Sequence, residues 1–133
     1  MKPSGGVVMA AVAVALTISA PARAGSAATR ASHPALRPAF GNTIVSTYPN
    51  GRQTLLWLEP DGDFEGERSQ GQRISGVWEV DEDELCLRQR RPMPLPIRYC
   101  TPIVPGGVGA RWTARAPTGE TVQVQLVGGQ IGR

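Results

Sequence analysis

The chain has 133 residues, 14 Lys+Arg against 11 Asp+Glu, a single histidine and two cysteines. One histidine and two thiols do not make a tetrahedral zinc site, and a net charge of +3, which falls to +1 without Lys2 and Arg23, argues against a dedicated nucleic-acid protein. The length suits one domain with a modest core.

The N-terminal stretch MKPSGGVVMAAVAVALTISAPARAGSA has the three parts of a secretory signal peptide. Lys2 supplies the positive end, Val7 to Ala20 form an apolar run too short to span a bilayer, and Ala22-Arg23-Ala24 is a small-x-small cleavage site. Cleavage is expected after Ala24, giving a secreted, periplasmic protein with no membrane span. Removing Lys2 and Arg23 leaves 12 basic residues, all arginine, and lowers the net charge to +1. Residues 25–40, rich in Ala, Ser and Pro without an apolar period, read as a flexible leader in which Phe40 is the first residue to dock.

From residue 41 to 133 the pattern is that of one all-β domain. Short β-favouring runs alternate with turn residues: NTIVSTY, RQTLLWL, FEGERSQ, RISGVWEV, LCLRQR, IRYCTPIV, RWTARA and TVQVQLV. The Asn50-Gly51 and Asp61-Gly62 pairs are hairpin signals, because glycine accepts the positive φ of a tight turn. Eight short strands predict an antiparallel up-and-down meander forming a small barrel or sandwich. Alternation sends Ile74, Trp78 and Val80 inward on the fourth run, Trp112, Ala114 and Ala116 on the seventh, and Val122, Val124 and Leu126 on the last. Leu55 to Leu58 are apolar on both faces, as in a central strand or one whose outer face is covered. The three tryptophans read as core filler.

The order LWLEPDGDFEG then SGVWEVDEDELCL carries a D-G-x-F, G-x-W-x-V, L-x-L progression over residues 55–88. In this it resembles small lipocalin-like β-meander proteins of bacterial envelopes. The resemblance implies a barrel architecture and binding of a small ligand or a protein, and it carries no site residues across.

Export makes a disulfide the expected state of Cys86 and Cys100. If residues 85–91 pair antiparallel with 96–101 around Met93, the two cysteines are cross-strand partners within one hairpin. That register sends Leu85, Leu87, Ile97 and Tyr99 to the core and sets Arg88 opposite Arg98 beside the disulfide. With Arg90 these form a candidate anion patch, whose alternative is neutralisation by the protein's own carboxylates in residues 79–84. The tip RRPMPLPI is stiffened by three prolines. Arg91, Met93 and Leu95 are its candidate binding residues, either exposed to a partner or folded back over the end of the core.

Other motifs read as structure. EPDGDFEGE has carboxylates at suggestive spacing but lacks an EF-hand's helix-flanked loop, and alternation places Glu65 and Glu67 on one outer face. PGGVGAR follows no strand-to-helix transition, so a phosphate cradle is not expected. No serine has an evident base, no lysine remains after cleavage, and the one histidine sits in the leader, so no catalytic residues, cofactor or metal are assigned.

The expectation is therefore a monomeric, non-catalytic secreted protein. Its ligand or envelope partner meets it through loops and the basic hairpin face. The alternatives are an inhibitor of an envelope hydrolase, such as a protease or lysozyme, and a structural envelope protein.

Overall fold

A computed structural model describes residues 33–133, together with isolated positions 5, 6, 13 and 15. Apart from those four positions, the signal peptide lies outside the described residues, as do residues 25–32 of the leader. Eight strands form: β1 (Thr43–Thr47), β2 (Gln53–Leu58), β3 (Asp63–Glu67), β4 (Arg73–Asp81), β5 (Glu84–Arg91), β6 (Tyr99–Pro102), β7 (Arg111–Arg115) and β8 (Thr121–Val127). They make one antiparallel sheet in the order β6-β5-β4-β3-β2-β1-β8-β7. Of the two arrangements the pattern allows, this is the barrel, nearly closed between its edge strands β6 and β7.

Alternation along each strand fills the interior. Ile44, Leu56, Leu58, Phe64, Ile74, Trp78, Leu85, Leu87, Val122, Val124 and Leu126 are buried in one cluster, with Val80, Tyr99 and Trp112 packed against it. Gly76 of the G-x-W element has a steric reason to be glycine. It pairs with Gln89 where β5 carries a bulge, and a Cβ there would collide with the backbone oxygen of Arg88 and approach Phe64 Cε1 to 2.8 Å.

The two ends of the barrel differ. At one end the segment expected to be a flexible leader is folded from residue 33 to 40: it makes turns and a short 3-10 helix (Arg37–Ala39), burying Leu36 and Ala39. Phe40 packs on Trp78 with ring centroids 5.8 Å apart. The apolar side chains of this Ala/Pro-rich segment act as a plug, at a spacing too irregular to show as a helix or strand period.

Trp57 is buried, but on the outer face of β2, so it is not part of the barrel interior. The C-terminal segment after β8 crosses over it. Thr43 Oγ1 accepts from Trp57 Nε1 at 3.1 Å and from the Ile131 amide at 3.0 Å, and donates to the Gly129 carbonyl at 2.7 Å. Arg73 donates to the Gly132 carbonyl at 2.9 Å, and Arg133 pairs with Glu59 and Glu65. Arg73 and Arg133 both lie over the Trp57 ring, at 5.3 and 5.9 Å. The double-sided apolarity of Leu55 to Leu58 is thus matched by a covering strap.

Candidate functional site at the open end of the barrel

The hairpin around the disulfide adopts the expected register: Leu85 pairs with Thr101, Cys86 with Cys100 and Leu87 with Tyr99. The Cys86–Cys100 bond is present. Pairing ends at Tyr99, however, so Arg88 and Arg98 do not face each other as cross-strand partners. Arg98 instead reaches from the start of β6 across β5 to β4, donating to Glu79 Oε1 and Asp81 Oδ2, each at 2.9 Å. These two acceptors raise its pKa further above the usual arginine value. Like-charge repulsion and two carboxylates one strand away favour this fork over the expected stack. Arg98 therefore leaves the anion patch and is neutralised by the protein's own acids.

Arg88, Arg90 and Arg91 remain exposed, with no carboxylate within ion-pair distance among the described residues. The bulge opposite Gly76 shifts the alternation, which turns Arg91 to the outer face beside Ser75. The three arginines form a basic strip leading to the proline-rich loop.

That loop, residues 92–98, divides its apolar side chains. Met93 is 62% exposed. Leu95 turns inward, half-buried, with its amide donating to the Gln89 carbonyl at 3.1 Å. Ile97, expected in the core, is 56% exposed, because pairing has ended two residues beyond it and nothing holds it to the inward phase. Gln89 Nε2 donates to the Met93 carbonyl at 3.3 Å and fastens the loop from below.

Beneath the loop lies a cavity of about 100 Å³. Leu56, Phe64, Ile74 and Leu87 form its apolar wall, and Tyr48, Arg68, Gln89 and Tyr99 its polar one. Arg68 Nη2 donates to Gln89 Oε1 at 2.8 Å. Burial, followed by the proximity of Tyr48, pushes the Tyr99 phenol up to about 12, so it is a neutral donor at ordinary pH. The volume is well below the roughly 300 Å³ of a typical small-molecule pocket and leaves room only for a small group.

Tyr99 packs against the core, as its hairpin register predicts, and also lines the cavity, whereas Tyr48, Arg68 and Gln89 are not among the residues the sequence pattern singles out. One signal was present: Gln89 continues the inward phase of Leu85 and Leu87, and a polar residue at an inward position near a strand end needs a partner or a ligand. Arg68 gives no such signal, because its approach to Gln89 depends on how β3 and β5 flank β4.

No other constellation competes. Among the described residues no three His, Cys, Asp or Glu side chains converge as metal ligands, and no helix is long and apolar enough to cross a membrane. In EPDGDFEGE, Asp61 accepts from the Asp63 amide as an ordinary turn cap. No protein-family model matches the chain, and neither a curated protein nor a solved structure matches it.

Proposed function

We propose that this chain is a secreted, periplasmic, non-catalytic binding protein whose ligand meets it at the open rim of the barrel. The observation that carries this reading is the inequality of the two ends. One is plugged by Leu36, Ala39 and Phe40, while the other keeps a cavity under a proline-stiffened loop with Met93 and Ile97 exposed. A loop braced by a disulfide and by prolines loses little entropy when it engages a ligand. The basic strip of Arg88, Arg90 and Arg91 favours acidic or anionic partners. The lipocalin-like sequence progression points to the same class of function.

The test is capture from an envelope extract by the mature protein, in parallel with a variant lacking Met93 to Leu95 and with Arg111→Ala as a control at the plugged end. The reading expects bound material to be lost with the loop deletion and kept with the control. Capture indifferent to the deletion refutes it.

A second reading, inhibition of an envelope hydrolase, is favoured by the exposure of Met93 on a rigid loop. It expects the parent protein to inhibit a protease or lysozyme in a panel and the loop deletion to abolish that inhibition.

A further inference from the structure

Arg68 is the one charged side chain on the cavity wall. It is exposed at the rim, and all 11 acidic side chains of the sequence lie among the described residues, none within ion-pair distance of it. A guanidinium has five N–H donors, and among the described residues its only acceptor is Gln89 Oε1. An exposed guanidinium with donors to spare, set at the mouth of an apolar cavity, is free to pair with a ligand anion. Tyr48 and Tyr99 stand on the same rim with phenol groups, and the floor below is aliphatic and aromatic.

Resting on the open-rim reading above, we propose that this cavity binds a small organic carboxylate, its carboxylate paired with Arg68 and its short aliphatic group seated against Leu56, Phe64, Ile74 and Leu87. The planar fork of arginine matches a carboxylate in two parallel hydrogen bonds. A dry cavity of about 150 Å³ accepts a benzene ring, so 100 Å³ accepts an aliphatic group of about four carbons. Leu95 closes over that group from the loop, which Gln89 holds through the Met93 carbonyl. Gln89 thus joins the charge to the lid.

The experiment is an NMR titration of the mature protein with pentanoate, 1-pentanol and acetate. Saturable shifts are expected at residues 46, 56, 89 and 99 with pentanoate, and affinity about tenfold lower for the alcohol, which lacks the charge, and for acetate, which lacks the chain. Arg68→Gln should weaken pentanoate about tenfold and leave pentanol unchanged, while Arg68→Lys, which keeps the charge but loses the bidentate fork, should retain only part of the preference for the acid. Because the acid is compared with the alcohol on the unaltered protein, the proposal is testable even where a variant folds poorly. Equal affinity for pentanoate and pentanol overturns the pairing with Arg68. Absence of binding by both overturns the cavity as a carboxylate site, and if the loop deletion still abolishes capture from the extract, the open-rim reading survives that failure.

Discussion

Trp112 Nε1 donates to Thr101 Oγ1 at 3.0 Å across the one seam of the barrel that has no backbone ladder. Thr101 is buried on β6 and Trp112 half-buried on β7, so this side-chain bond stands where strand pairing stops. Trp112→Phe keeps most of the ring and removes the donor, leaving the threonine hydroxyl without that partner. The expected loss is about 1 to 2 kcal/mol in urea unfolding, with faster amide exchange in β6 and β7 than in β2 and β3.

Thr43 Oγ1 is shared by Trp57, Gly129 and Ile131, and so connects β1, the outer face of β2 and the C-terminal strap. Thr43→Val should cost about 2 to 3 kcal/mol, since it strands two donors and an acceptor at once. The Trp57 contribution to fluorescence should shift to the red as the strap lifts. Thr47→Val, on the same face of the same strand, serves as the control and should change stability by less than about 0.5 kcal/mol.

Removing the disulfide as Cys86→Ala with Cys100→Ala should cost about 3 kcal/mol on the loop-entropy argument for a closed loop of this length, less whatever hairpin persists in the unfolded chain. Although the bond lies on the outer face, Cys86 is only 2% exposed, and the Arg98 fork passes over β5 to Glu79 and Asp81. Arg98→Ala should therefore speed reduction by a water-soluble phosphine or thiol, measured as the rate of free-thiol appearance in the folded protein. An unchanged rate would show that the fork does not shield the bond.

The raised Tyr99 pKa sets a stability window at high pH. Burial disfavours the phenolate, so the folded pKa of about 12 exceeds the usual value of 10.0. The contribution of the neutral phenol is fully present below pH 10 and is lost as the pH rises from there toward 12. Phenolate absorbance assigned to Tyr99 by comparison with Tyr99→Phe should appear near pH 12 in the folded protein, and the variant should lose stability less steeply across that interval.

The strands and the disulfide register were legible because both follow from local pattern. Val122, Val124 and Leu126 alternate cleanly, and one hairpin symmetry is enough to pair Cys86 with Cys100. What escaped depends on contacts distant in sequence. Leu36 and Ala39 become core only because a barrel has an end to plug, and Trp57 is buried only because residues 129 to 133 return to β1 and β2. The hairpin pattern alone places Arg98 in an anion patch, whereas its acceptors lie on β4, beyond that hairpin. The cavity was illegible for the same reason: Arg68 and Gln89 stand 21 residues apart and meet only when β4 lies between their strands.

The strap also bears on the order in which the chain can fold. The strands from β2 to β6 pair with sequence neighbours, but β1 finds its second partner in β8, and Thr43 meets Ile131 across 88 residues. A chain emerging N-terminus first can zip its central meander early, yet β1 keeps an unpaired edge and Trp57 stays uncovered until residues 121 to 133 arrive. Such a dependence on the most distant contacts slows the final step and leaves an apolar face open to helpers or to misassembly in the interval.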